Sequence, residues 1–209
     1  MLPSNLLFDF GGVLYDIDYA ATERAFLALG IEQFEEKFSK QKQSQLFDLL
    51  ETGKIESDEF LERMQSLCPA GTNKEQVLNA WNAMLIGLSK EKVRLIESLQ
   101  GPYRLFLLSN TNRIHAEFFE AQIERQLGLS KFKSLFEKVY YSHEIGQRKP
   151  HPSVFEWVVE QNGLKAEETL FIDDSPQHLE GAKQAGLQVL QVQTNVPFEA
   201  ELRALLGSR

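Results

Sequence analysis

Cysteine is almost absent from this chain. Cys68 stands alone, so no disulfide can form within it and no stapled scaffold holds it together. No apolar run approaches the length that crosses a bilayer, and no membrane partner is expected. The opening stretch MLPSNLLFDFGG lacks a basic segment, and Asp9 interrupts its apolar run, so no secretory signal is expected and a cytoplasmic location follows. Positive charge is also scarce. Twenty-two Lys and Arg face 30 Asp and Glu, a net charge of −8, with no local basic patch. Such a surface repels phosphate backbones, and nucleic acid is not an expected partner. Internal repeats and low-complexity tracts are missing too. Oligomeric state leaves no trace in the sequence.

What is present suits a globular protein of 209 residues, 43% hydrophobic and 25% charged: one good-sized domain, or a core with an insertion. Leu6-Leu7-Phe8 leads into Asp9 and the pair Gly11-Gly12, a short buried strand that ends in a glycine turn. A second apolar run, Leu105 to Leu108, stops at Ser109-Asn110-Thr111, small polar residues suited to cap the next helix. That helix is expected to present Ile114, Phe118 and Ala121 on one face and to end near Gly128. Val139 to Tyr141 reads as a strand. Pro152 opens a helix carrying Val154, Phe155, Val158 and Val159. Thr169 to Ile172 is a strand that ends in Asp173-Asp174-Ser175-Pro176, a helix follows as far as Gly186, and Val189 to Val192 is the last strand. This alternation predicts a Rossmann-like parallel sheet with helices on both faces.

Residues 16–100 break the alternation. They show no convincing strand but several helical faces: Ala25, Phe26 and Leu29; Phe60, Met64 and Leu67; Val77, Trp81 and Leu85. Gly30, Gly53 and Gly71 separate them. The expected organisation is a core of residues 1–15 and 101–209, with an inserted all-α helical-bundle cap over 16–100.

Ligands of such sheets bind beyond the carboxyl ends of the strands, where Asp9, Ser109, Lys149 and Asp173/Asp174 all fall. Each has a bland reading. Asp9 could bond turn amides, Asp174 or Asp173 could cap a helix, Ser109 and Asn110 could do the same, and Lys149 could be solvated. Together they read differently. A carboxylate at Asp9 can accept a phosphoryl group, and Gly11 and Gly12 allow backbone to approach a phosphate. The doubled carboxylate Asp173-Asp174 beside Asp9 is a donor set for a hard cation such as magnesium. The helix after Ser109 offers an anion site, and Lys149, set in Gly-x-x-Lys-Pro-x-Pro, is aimed at a phosphate. His115, His143, His151 and His178 lack metal-ligand spacing and read as surface or supporting residues. Trp81 reads as packing within the insertion.

These four clusters, in this order, resemble the four motifs of the haloacid dehalogenase-like hydrolase superfamily. Phe8 to Leu14 resembles motif one, Ser109-Asn110 motif two, Gly146 to Pro152 motif three and Phe171 to Ser175 motif four. The resemblance covers the chain, since members with a helical (C1-type) cap insert it between motifs one and two. It implies a magnesium-dependent phosphatase acting on a small phosphorylated metabolite such as a sugar phosphate. Asp9 would be the nucleophile, with Lys149 beside it. Ser109, Asn110 and Lys149 would bind the phosphate, and Asp9, the Gly11 carbonyl, Asp173 and Asp174 would hold Mg2+.

One position departs from the pattern. Most phosphatases of the superfamily carry a second aspartate, a general acid and base, where this chain has Gly11. A branch resembling glucose-1-phosphate phosphatases shares the Asp-x-Gly opening, the later Asp16-Ile17-Asp18 and the cap motif Thr52-Gly53-Lys54-Ile55. Asp16 and Asp18 are candidate surrogate acids, or else solvated hinge residues. Without an acid and base, a burst of product and slow turnover are expected, faster for leaving groups that need no proton. Two alternatives remain: a 2-haloacid dehalogenase, which would gain nothing from Asp173-Asp174, and a phosphate- or metabolite-binding protein that lost activity with the second aspartate.

Overall fold

The computed structural model describes residues 2–31 and 40–207. With elements numbered in chain order, the central sheet contains β1 (Asn5–Phe8), β4 (Arg104–Ser109), β5 (Lys138–Tyr141), β6 (Thr169–Asp173) and β7 (Gln188–Gln191). Its order is β5-β4-β1-β6-β7, all parallel, with Leu7 opposite both Phe106 and Phe171. The strands are apolar throughout because both faces are covered. Leu6, Phe8, Leu105, Leu107, Leu170 and Ile172 belong to one core cluster. The alternate residues Leu7, Phe106, Leu108 and Phe171 belong to the other, as the two-residue period of a strand requires. Helices α6 (Arg113–Gln126), α7 (Leu129–Lys133) and α11 (Glu199–Leu206) pack with the first cluster. Helices α9 (Pro152–Gln161) and α10 (Pro176–Gln184) pack with the second. From β1 the chain goes to one side for β4 and β5, then to the other for β6 and β7. The end of β1 is therefore the topological switch point, where open α/β sheets bind their ligands.

The expected insertion contains α1 (Tyr19–Ala28), α2 (Lys40–Glu51), α3 (Ser57–Ser66) and α4 (Lys74–Asn82). Phe26, Leu50, Phe60, Met64 and Val77 form their own apolar cluster, joined by Ile114 from α6. Residues 32–39 of the insertion lie outside the described residues. Among the described residues no helix is long and apolar enough to cross a membrane.

Several local expectations need correction. Residues 16–100 do contain strand: β2 (Tyr15–Ile17) pairs antiparallel with β3 (Leu85–Leu88). Leu85 was assigned to a helical face with Val77 and Trp81, but α4 stops at Asn82 and a partner far away in sequence recruits Leu85 into a strand. Leu67 caps α3 and is exposed rather than lying on its buried face. In α6 the buried face is Ala116, Phe119 and Ile123, with Phe118 half-buried and Ala121 exposed. Two surfaces compete for this helix: Ile114 turns to the insertion's cluster and the rest to the sheet. Helix α5 (Lys90–Leu99), numbered within the expected insertion, buries Val93, Leu95, Ile96 and Leu99 in the sheet's own cluster.

The two passages between core and insertion are bound together. Asp16 Oδ1 accepts a hydrogen bond from the buried Lys92 Nζ at 2.8 Å. Asn195 clasps Ile17 from both sides, accepting from its N–H at 3.0 Å and donating to its carbonyl at 2.6 Å, while its own N–H donates to Gly12. The second cluster is anchored by Phe155, fully buried edge-on to Phe171 with centroids 4.9 Å apart. Phe155→Ala should cost about 3–5 kcal/mol of unfolding free energy, read as a lower urea midpoint at unchanged slope.

Candidate active site

Four loops leave the carboxyl ends of β1, β4, β5 and β6 and meet at one point. Asp9 follows β1 directly, its N–H donating to Ile172 O at 2.9 Å and so extending the ladder with β6 by one residue. Asp173 ends β6, and Asp174 follows it. Oxygens of Asp9, Asp173 and Asp174 lie within 4.8 Å of one another. Into this cluster projects Lys149, with no exposed surface. Its Nζ donates to Asp9 Oδ1 at 2.5 Å and to Asp173 Oδ2 at 2.9 Å, and it lies 5.2 Å from the centre of the Phe171 ring.

Backbone contacts hold these side chains in place. Asn110 Nδ2 donates to the Lys149 carbonyl at 2.8 Å, and the Lys149 N–H donates to Asn110 Oδ1 at 3.0 Å. Asn110 therefore clasps the lysine's main chain. The expectation that Ser109 or Asn110 caps α6 is corrected: Asn112 is the N-cap, accepting from His115 N–H at 3.0 Å. Ser142 exchanges hydrogen bonds with both main-chain groups of Thr111, locking the β4 and β5 loops together. On the other side, an added Cβ at Gly181 in α10 would collide with the Pro150 carbonyl, so only glycine lets the lysine loop settle there.

The two glycines after Asp9 differ. Gly12 has φ +82°, and a Cβ there would strike Asp174 Oδ2. Gly11 has no such constraint. A Cβ would meet only Ile17 at ordinary contact distance, 3.6 Å. Glycine at position 11 is thus a chemical choice rather than a demand of the backbone.

Charge in the site is strongly perturbed. Burial raises Asp9 to about 7, with Asp173 adding to the rise and Lys149 opposing it. Burial acts on Asp173 the same way, but Lys149 and a hydrogen bond from His178 hold it down to about 2. His178 Nδ1 lies 3.0 Å from Asp173 Oδ2, and Ser175 N–H donates to Asp173 Oδ1 at 2.7 Å. Asp174 is the more accessible carboxylate, with Oδ2 accepting from Thr194 at 2.6 Å. Three carboxylates against one buried ammonium leave a negative excess among hard oxygen donors. That set fits a divalent cation such as magnesium.

A cavity of about 420 Å³ opens above Asp9 and runs under the insertion. Its upper wall holds Tyr19, Phe47, Glu51 and Trp81; Trp81, expected to serve only packing within the insertion, also faces the cavity, and no sequence signal marks the other three. Trp81 stacks on His115 with centroids 5.0 Å apart, and its buried Nε1 has no hydrogen-bond partner among the described residues. His115 Nε2 contacts the Trp81 carbonyl at 3.2 Å, and burial lowers His115 to about 4, so the ring is neutral. The candidate acids Asp16 and Asp18 do not line this cavity. Asp16 pairs with Lys92, while Asp18 caps α1 and pairs with Arg24. A larger hollow of about 600 Å³ lies at the opposite strand ends, around Ser4 and Arg104, where Arg104 is already paired with Glu137.

The model of the haloacid dehalogenase-like hydrolase family matches residues 6–192. A D-ribitol-5-phosphate phosphatase from Bacteroides thetaiotaomicron is 30% identical over 204 residues, which is 98% of each chain. The crystal structure of a HAD family enzyme from the same organism, in complex with magnesium, superposes with a TM-score of 0.84 at 30% identity, covering 97% of this chain and 100% of that one. A HAD-like family hydrolase from Porphyromonas gingivalis gives a TM-score of 0.86 at 32% identity, with both chains fully covered.

Asn110→Leu removes both partners of the Lys149 main chain and should cost about 1–3 kcal/mol for each buried group left unpaired. Amide hydrogen exchange at Lys149 should rise, and an unchanged rate would mean that another group holds the loop.

Proposed function

The chain belongs to the haloacid dehalogenase-like hydrolases, and on that premise we propose that it is a magnesium-dependent phosphatase whose nucleophile is Asp9. The observation that carries this reading is the meeting of Asp9, Asp173 and Asp174 around the buried ammonium of Lys149. The Bacteroides relative named as a D-ribitol-5-phosphate phosphatase, and the related magnesium complex, support both the reaction and the ion.

Asp9, Asp173, Asp174 and the Gly11 carbonyl would hold the magnesium. The ion supplies positive charge that offsets the repulsion between a carboxylate and a phosphate. Lys149 orients Asp9 by holding Oδ1 and opposes the burial that disfavours its anion. In the first step Asp9 attacks phosphorus, the ester P–O bond breaks, and an aspartyl-phosphate forms. Water then attacks phosphorus and releases Asp9 and inorganic phosphate. The Ser109 hydroxyl and the Asn110 main-chain amide, at the end of β4, receive phosphoryl oxygens, since the Asn110 side chain is occupied with Lys149. The insertion excludes water from the cavity and shapes it for the substrate.

The cavity matches a small polyol or sugar phosphate in size and character. Trp81 and Phe47 offer apolar surface, and the unpaired Trp81 Nε1 offers a donor to a hydroxyl. The cluster of carboxylates favours phosphate release over the displacement of halide, which needs no cation.

Phosphate release should be measured over polyol, sugar, acyl and aryl phosphates, with D-ribitol 5-phosphate in the first rank. Release is expected to need magnesium, to stop with excess chelator and to vanish in Asp9→Asn. Folded protein that binds these phosphates without releasing any would instead make it a binding protein.

A further inference from the structure

Gly11 leaves a chemical task unassigned. The oxygen that departs from phosphorus needs a proton unless it is a weak base, and the water that attacks the phospho-enzyme must lose one. Such a group contributes roughly 10²–10⁴-fold in rate. The backbone at Gly11 has room for a side chain, so the absence is not imposed by packing. Asp16 and Asp18, the two nearby acids in sequence, are spent on Lys92 and Arg24 outside the cavity.

The other ionisable groups lining the cavity can be taken in turn. Asp9 is the nucleophile, and Asp174 belongs to the metal set. His178 is bonded to Asp173. His115 is neutral and faces the Trp81 carbonyl. Tyr15 donates its hydroxyl to Gln122 at 2.6 Å and is pushed upward by burial, and Tyr19 is pushed upward by burial and by the surrounding carboxylates, so neither phenol ionises in the working range. Arg148 is a permanent cation. Glu51 remains.

Glu51 is the last residue of α2 and lines, from the insertion, the same cavity as Asp9. The chain just beyond it is pinned to the core. A Cβ at Gly53, which has φ +65°, would collide with the His143 carbonyl, so the helix end sits directly on the β5 loop. Arg148 ties the same helix end down, pairing with Asp48 and lying 3.0 Å from Glu51 Oε2. Glu51 Oε2 is buried, yet it has no hydrogen bond among the described residues. This is a carboxyl group held in the substrate cavity by its ion pair with Arg148, with no hydrogen bond among the described residues to commit its proton elsewhere. In phosphoryl transfer the attacking and leaving oxygens stand roughly in line, so the leaving oxygen exits on the side away from Asp9.

We propose that Glu51 is the general acid and base of this enzyme, supplied from the insertion in place of the aspartate that Gly11 lacks. The proposal rests on the phosphatase reading. In the first step the Asp9–phosphorus bond forms as the ester P–O bond breaks, and the electron pair left on the departing oxygen takes the Glu51 proton. In the second step the Glu51 carboxylate takes a proton from water as water oxygen bonds to phosphorus. The phosphorus–Asp9 bond breaks, its electron pair returns to Asp9, and Glu51 ends protonated as it began. The electrostatics suit both halves. Burial raises Glu51 to about 7, against the pull of Lys149, with Tyr19 from α1, Arg148 from the lysine loop and Asp48 on its own helix as charged or titratable neighbours.

The test compares leaving groups in Glu51→Gln, an isosteric change whose folding is checked by thermal midpoint. Turnover of alkyl phosphates should fall roughly 10²–10⁴-fold. With 4-nitrophenyl phosphate, which departs without a proton, rapid mixing should reveal a burst of about one nitrophenol per site and then a slow rate as the phospho-enzyme waits for a base. Wild type should show no burst. Adding Gly11→Asp to Glu51→Gln should restore alkyl turnover. An equal loss on both substrates without a burst, or no loss, would overturn the role of Glu51 while leaving Asp9 as nucleophile. Release of phosphate that survives Asp9→Asn would overturn the phosphatase reading itself.

Discussion

A single buried ammonium organises the site. Lys149 sits in a fully enclosed position between Asp9 and Asp173, and three strand-end loops take their placement from that contact. Removing both carboxylates would strand a cation in low dielectric, and removing the cation would leave like charges facing each other. The surrounding structure is consistent with this demand: Asn110 grips the lysine's main chain, Gly181 clears space for its loop, and Phe171 lies beneath the ammonium. The two carboxylates share the cation unequally. His178 and the Ser175 amide also serve Asp173, so it stays ionised, while Asp9 is left as the higher-energy anion.

Much of this could be read from the chain. The strand ends at Asp9, Ser109 and Asp173 are marked by apolar runs that stop abruptly at polar residues, because strands buried on both faces tolerate nothing else. The alternation of strand and helix then places those ends on one edge of the sheet. Other features were not legible. The cap at Asn112 rather than Asn110 depends on where the chain turns after β4, and Asn110 is diverted by a partner 39 residues away. The buried face of α6 was misread because the helix serves two cores and so has no single stripe. Strands β2 and β3 are short and form a two-stranded ribbon apart from the main sheet, and nothing local distinguishes Leu85 to Leu88 from the tail of α4. Glu51, Arg148 and Trp81 look like ordinary helix and loop residues until the insertion is docked. The one available hint was Thr52-Gly53-Lys54-Ile55, whose glycine marks a close approach.

Contacts of different physical kinds join the insertion to the core. Ile114 joins its apolar cluster, the Trp81 carbonyl meets His115, and Arg148 pairs with the end of α2. Two of these contacts lead straight into the cavity. The arrangement couples the seating of the insertion to the completeness of the site: a displaced α2 takes Glu51 and the Arg148 contact with it, while Lys149, one residue further on, stays buried among the carboxylates.

The ribbon of β2 and β3 has a consequence of its own. The chain leaves the core through Ile17 and returns through Leu85, and these residues are register partners. Everything between them hangs from a neck two strands wide, stitched to the core by Asn195 and Lys92. Such a neck makes the insertion an exchangeable cassette. Its length, helix count and cavity wall can diverge between relatives without shifting any carboxylate at the strand ends. New substrates are then acquired by rewriting the cassette, and a proton donor carried on it would be replaced in the same event.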